Sequence, residues 1–166
     1  MKATRLLVQQ HQKVKATFAM IDDLAGDPAQ LVRELADDLA AHMVIEQQLF
    51  YPTVRELRAE LVDESYEEHS MAELALKRLL RASPGDPTFR ARVAVLKELV
   101  VHHVEQEERV LFPAVEGELG AAALDALGAK MDKQFQEARA QGFEALVPSG
   151  FAKTSADEFE RIVQAT

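Results

Sequence analysis

An eleven-residue box occurs twice in this chain, and it restricts the fold more than any other feature. The first copy is His42-Met43-Val44-Ile45-Glu46-Gln47-Gln48-Leu49-Phe50-Tyr51-Pro52, and the second is His103-Val104-Glu105-Gln106-Glu107-Glu108-Arg109-Val110-Leu111-Phe112-Pro113. Both read His-x3-Glu-x3-apolar-aromatic-Pro, and every matched position is offset by 61 residues. Residues i and i+4 share one helical face, one turn apart, so each box points an imidazole and a carboxylate into the same space. Two such boxes on facing helices form a set of nitrogen and oxygen donors, which is the makeup of a metal site.

The rest of the composition agrees with helices. A chain of 166 residues fits one domain with a real core. It is 48% hydrophobic but only 6% aromatic, has no Trp, and is rich in Ala, Leu, Glu and Arg; these are residues that favour an all-α fold. A net charge of −9 argues against nucleic acid and anionic membrane surfaces as partners. With no Cys, disulfides, thiolate zinc sites, iron–sulfur clusters and cysteine nucleophiles are excluded together. Met1 to Lys15 lacks the continuous apolar segment of a signal peptide, and no stretch approaches transmembrane length. The expectation is a soluble cytoplasmic protein.

In chain order, Ala3 to Ala25 has helical spacing, with Leu6, Leu7, Phe18, Ile21 and Leu24 apolar and His11 among them. Gly26-Asp27-Pro28 then supplies a left-handed stop, an N-cap and an N1 proline, and the tripeptide returns as Gly85-Asp86-Pro87. The punctuation therefore repeats along with the box. Helix two is expected from Pro28 through the first box, helix three from near Asp63 to near Arg81, and helix four from Pro87 through the second box. His11 and His69 precede their glycines by 15 and 16 residues, so antiparallel packing sets His11 opposite His42 and His69 opposite His103. The chain reads as a duplicated αα-hairpin closing into an up-down-up-down four-helix bundle.

A straight helix two would leave Glu46 and His69 roughly 13 Å apart in height. Pro52 is therefore expected to break or kink helix two so that the chain turns back early, and Pro113 to act likewise in helix four. The bundle is assigned to residues 1–119 and a C-terminal helical extension to residues 120–166. In that extension Leu124, Leu127, Met131, Phe135 and Ala138 form an amphipathic stripe. A last short helix should begin at Ser155, with Glu158 completing a capping box. The extension packs on the bundle or supports a homodimer, so the expected state is monomer or homodimer.

The candidate metal ligands are His11, His42, Glu46, His69, His103 and Glu107. Neighbours fall off their face: His102 points about 100° from His103, Glu105 and Glu108 are likewise off the ligand side, and Glu67 and Glu68 read as solvated. Phe50, Tyr51, Leu111 and Phe112 read as core, an apolar lid beside the metals. Tyr66, three residues before His69, shares its face and is either a core tyrosine, a hydrogen-bond donor to a ligand or a phenolate ligand. Four His and two Glu exceed one tetrahedral zinc but suit two ions with both carboxylates bridging. Iron fits this donor set, with manganese and zinc as alternatives. No Glu-x-x-His or His-Glu-x-x-His occurs, which disfavours ferritin-like dinuclear bundles.

His11, His42-x3-Glu46, His69 and His103-x3-Glu107, with the Phe-Tyr-Pro and Leu-Phe-Pro endings, resemble the hemerythrin-like family of HHE cation-binding domains over about residues 5 to 115. The resemblance implies a non-haem di-iron centre, two iron ions joined by an oxo or hydroxo bridge, with Glu46 and Glu107 as bridging carboxylates. The pattern differs from oxygen-carrying hemerythrins, which have a fifth histidine and an aspartate bridge, and is similar to a four-His, two-Glu branch. The function expected is binding or turnover of O2, peroxide (H2O2) or nitric oxide (NO), with catalase-like peroxide breakdown foremost. The alternatives are a non-catalytic iron or oxygen sensor or store, and a metal-independent scaffold.

Overall fold

The structure, a computed structural model, describes residues 1–147; the helix expected from Ser155, with Glu158 in its capping box, lies outside the described residues. Among them there are helices and turns and no strand. The four bundle helices are α1 (Ala3–Asp22), α2 (Pro28–Ile45), α4 (Ala59–Leu80) and α5 (Phe89–Gln106). Short helices α3 (Tyr51–Val54) and α6 (Phe112–Glu118) prolong α2 and α5 through intervening π-turns. Then α7 (Ala121–Gln141) crosses back over α1 and α2, and α8 (Phe143–Leu146) follows.

The first hairpin turn behaves as its residues dictate. Gly26 takes φ +114 after Leu24 at φ +54, the Asp27 carboxylate accepts the Ala29 N–H at 3.0 Å, and Pro28 opens α2. The second turn differs from its sequence twin. Gly85 does not adopt a positive φ. Asp86 instead accepts both the Thr88 N–H (2.7 Å) and the Thr88 hydroxyl (2.8 Å), and α5 starts at Phe89 rather than Pro87. An Asx turn closes the loop here, so the glycine is left without a left-handed duty.

Pro52 and Pro113 do not end their helices. Each is preceded by a π-turn, Glu46–Phe50 and Glu107–Leu111, closed by Tyr51 N–H to the Glu46 carbonyl and Phe112 N–H to the Glu107 carbonyl. A proline lacks the N–H and clashes with the carbonyl four residues back; one extra residue in the turn moves that carbonyl aside and the helix goes on. After α3 the chain tightens at Arg55–Leu57 and turns at Arg58. Arg55 there grips Asp63 with two bonds of 2.9 and 2.8 Å. Helix α4 therefore begins at Ala59, four residues before the expected start, and the height mismatch between Glu46 and His69 disappears. Glu46 lies 12 residues before Arg58 and His69 lies 11 after it.

The core is two apolar clusters with a polar layer between. Phe18, Leu35, Leu76, Leu79, Phe89 and Leu96 fill the end beside the hairpin turns. Leu7, Ile45, Phe50, Val62, Leu111 and Val115 fill the other. The amphipathic stripe of α7 buries all five expected residues, Leu124, Leu127, Met131, Phe135 and Ala138, against that second cluster. Gly128 allows the approach, since a Cβ there would stand 2.2 Å from the Met1 carbonyl oxygen and 2.8 Å from the Ala3 nitrogen. Asp38, nearly buried, ties three helices by pairing with Lys13 of α1 and Arg139 of α7.

Candidate metal centre

The polar layer between the clusters is made of His11, His42, Glu46, His69, His103 and Glu107, each at most 6% exposed. The two histidine pairs meet as the antiparallel reading requires: ring centroids are 4.9 Å apart for His11 and His42, and 4.7 Å for His69 and His103. The glutamates stand between the pairs. Glu46 Oε2 is 3.1 Å from His42 Nε2 and 3.3 Å from His69 Nε2. Glu107 Oε2 is 3.3 Å from His11 Nε2 and 3.6 Å from His103 Nε2. Two ligand groups result, His11, His42, Glu46 and Glu107, and Glu46, His69 and His103, with Glu46 common to both.

A cation fits what these residues leave undone. His11 Nε2, His42 Nε2, Glu46 Oε1 and Glu107 Oε2 are buried without hydrogen-bond partners, and such orphaned groups are costly in a closed bundle. The Nδ1 atoms, by contrast, are all held from behind. Gln10 meets His42 Nδ1 (2.8 Å), the Gln47 amide meets His69 Nδ1 (3.2 Å), Glu68 meets His103 Nδ1 (2.7 Å), and Glu108 meets His11 Nδ1 (2.9 Å). A group on Nδ1 fixes the ring and leaves Nε2 as the donor towards a metal. Each supporting residue sits immediately beside a candidate ligand on its own helix and reaches the next helix round, closing a ring of four.

That ring corrects the expectation that Glu68 is solvated and that Glu108 faces away from the ligands. A residue next to a ligand does point about 100° off. In a four-helix layer that direction leads to the back of the neighbouring imidazole. The visible signal was that positions 10, 47, 68 and 108 are all Gln or Glu. His102 is exposed, its Nε2 3.5 Å from Glu68 Oε1. In the duplicated halves the supports differ, two amides in the first and two carboxylates in the second. Glu108→Ala is expected to lower metal affinity about 10–100-fold, read by competition with a coloured chelator, while helicity is retained.

Tyr51 is the site residue that sequence reasoning placed in the lid. Its hydroxyl lies 3.0 Å from Glu107 Oε1, 3.5 Å from Glu46 Oε2 and 3.3 Å from His69 Nε2. On a regular helix Tyr51 would sit about 140° round from Glu46, but the π-turn takes up more than four residues and brings it back beneath Glu46. Phe112, its counterpart in the second half, stacks on His11 with centroids 5.9 Å apart. Tyr66 lies one ring further out, its ring against Tyr51 (5.2 Å) and its hydroxyl donating to the Gln47 carbonyl at 3.0 Å. That carbonyl would look to residue 52 in the π-turn, and Pro52 has no N–H to offer.

Burial and mutual charge set the protonation of the layer. Burial holds His42 and His69 well below the usual imidazole range, and neighbouring imidazoles push the same way. Burial also lowers His11, but the carboxylates of Glu107 and Glu108 outweigh it and the net direction is up. Glu46 is raised well above an ordinary carboxyl by burial and by the charge of Glu107. Burial opposes ionisation of Glu107 too, yet His103 and His11 pull it down. Tyr51 is pushed far up by burial and by both glutamates, and keeps its proton. Beside the histidines is a cavity of about 20 Å³ lined also by Val14, Leu39, Met43 and Val100, room for one water-sized molecule.

A buried nitrogen-and-oxygen donor layer inside a helical bundle defines a cation-binding protein. The hemerythrin HHE cation binding domain matches residues 2–115, and the chain belongs to that family. It is similar to a hemerythrin HHE cation binding domain-containing protein, an Rv2633c homolog from Mycobacterium kansasii, with 26% identity and a TM-score of 0.76 over 85% of this chain and 89% of that one. It is also 33% identical over 115 residues to a DNA nickase of Nostoc sp. (strain PCC 7120 / SAG 25.82 / UTEX 2576). The match takes in 67% of this chain and 32% of the nickase, so it spans about a third of that protein. No helix among the described residues is long and apolar enough to cross a membrane.

Proposed function

We propose that the layer holds two iron ions and breaks down peroxide. His11, His42, Glu46 and Glu107 would hold one ion and Glu46, His69 and His103 the other, with Glu107 reaching both pairs. The observation that carries this is the set of four buried, partnerless donor atoms converging between two histidine pairs. Iron suits imidazole with carboxylate, and when bound supplies Lewis-acid and one-electron redox chemistry for O–O cleavage.

The chain's own residues do the rest. The small apolar-walled cavity admits species the size of O2, H2O2 or NO and excludes larger substrates. Tyr51 keeps its proton and holds its hydroxyl within reach of both carboxylates, placed to donate a hydrogen bond where negative charge develops on oxygen. The four supports on Nδ1 keep the imidazoles aligned while charge changes. A role on DNA draws no support from a net charge of −9.

The test is elemental analysis followed by peroxide turnover. About two irons per chain are expected, and the iron-loaded protein should release one O2 for every two H2O2 consumed. Metal well below one per chain after anaerobic iron addition would overturn the dinuclear reading. Two irons with no peroxide loss would overturn catalysis and leave the sensor or store reading.

A further inference from the structure

We propose that the outer face of α4 and α5 is the contact between two copies of this chain, packed as an antiparallel twofold dimer. Among the described residues this face has no partner. Met71 is 52% exposed, Leu74 37% and Val95 53%, and together with Ala75 and Leu99 they line a groove between the two helices. Exposed apolar residues scattered singly need no explanation, but a contiguous group in a groove does.

The charges along the face choose the occupant. On α4, Glu64, Met71 and Arg78 lie seven residues apart, hence on one side of the helix and about 10 Å from one to the next. On α5 the antiparallel counterpart runs His102 and Val95, and seven residues further on comes Thr88, the residue that caps the helix. Glu64, Glu68 and His102 come together at one end of the face. Arg78 and Arg92 line the groove at the other end. The order is acidic, apolar, basic.

Such a face is complementary to itself in one arrangement. A twofold axis lying across the helices at the level of Met71 and Val95 turns each copy end over end. It lays Glu64 of one copy over Arg78 of the other, twice, and Met71 over Met71. An axis along the helices would set acidic end on acidic end and is disfavoured. Among the described residues the Arg78 guanidinium has no carboxylate partner, although its backbone carbonyl accepts from Arg92 at 2.7 Å. Two helices about 33 Å long and about 10 Å wide each offer on the order of 600 Å² per copy, near the lower end of specific interfaces. The dimer should therefore depend on concentration and weaken with salt.

The experiment is sedimentation velocity on the iron-loaded full chain over a wide concentration range, with exchanged charges. Wild type should pass from one chain to two as concentration rises. Glu64→Arg and Arg78→Glu, each alone, set like charges together and should weaken the dimer at least tenfold. The double variant E64R/R78E restores both pairs in reversed sense and should recover most of that loss, with iron content unchanged throughout. A chain that stays monomeric overturns the proposal, whether the groove is covered by the chain's own C-terminal residues or by another protein. So does a dimer that the single exchanges leave intact, or a double variant no tighter than the singles.

Discussion

Glu46→Gln should make the metal-free protein more stable and the metal-loaded protein less so. Glu46 is wholly buried, its carboxyl is raised well above normal by burial and by Glu107, and its Oε1 has no partner. A folded-state pKa above the unfolded value contributes stability below the unfolded pKa and loses it as pH rises through the folded one. At neutral pH the metal-free layer therefore carries a strained carboxyl, and a neutral amide of the same shape relieves it. A carboxyl held above its ordinary pKa costs about 1.4 kcal/mol of stability at neutral pH for each unit of the rise. With metal present the sign reverses, because the amide cannot supply the shared carboxylate and the binding energy that adds to folding is lost. Thermal unfolding of wild type and variant, each with and without iron, should give crossing orders. A variant that is destabilised in both states, or stabilised in both, contradicts this account.

The duplicated box, the doubled Gly-Asp-Pro and the equal spacing of histidines from the turns were enough to read the bundle and to bring the six candidate ligands into one layer. All of these are local or periodic signals, and helices transmit them faithfully. What escaped depends on contacts between helices. The π-turns exist because Pro52 and Pro113 must keep their helices running past a clash, and whether a proline ends a helix or widens it is decided by the packing beyond. Tyr51 moved from lid to site through that one extra residue. Glu68 and Glu108 could be assigned only once the direction off their own ligand face was seen to point at the next helix. The second Gly-Asp-Pro shows the opposite failure, a motif repeated in sequence whose glycine is relieved of its conformational duty by Asp86 and Thr88.

Tyr51→Phe should abolish most peroxide turnover while leaving iron content close to two per chain. The ring is completely buried, packed on Phe50 and Tyr66, so phenylalanine fills the same space and the fold is kept. What is lost is the hydroxyl, at 3.0 Å from Glu107 and 3.5 Å from Glu46. Its pKa is driven far up by burial and the two glutamates, so it stays protonated as a hydrogen-bond donor across the physiological range. Removing one positioned hydrogen-bond donor typically costs about 10²–10³-fold in rate, and kcat should fall with little change in KM if the bond acts in the reaction rather than in binding. Tyr66→Phe is the control. Among the described residues its hydroxyl serves the Gln47 carbonyl alone, so the variant should cost about 1 kcal/mol of stability and leave turnover and iron nearly as in wild type. Equal losses in the two variants would mean that the aromatic pair acts through packing, since the hydroxyl beside the glutamates would then add nothing of its own.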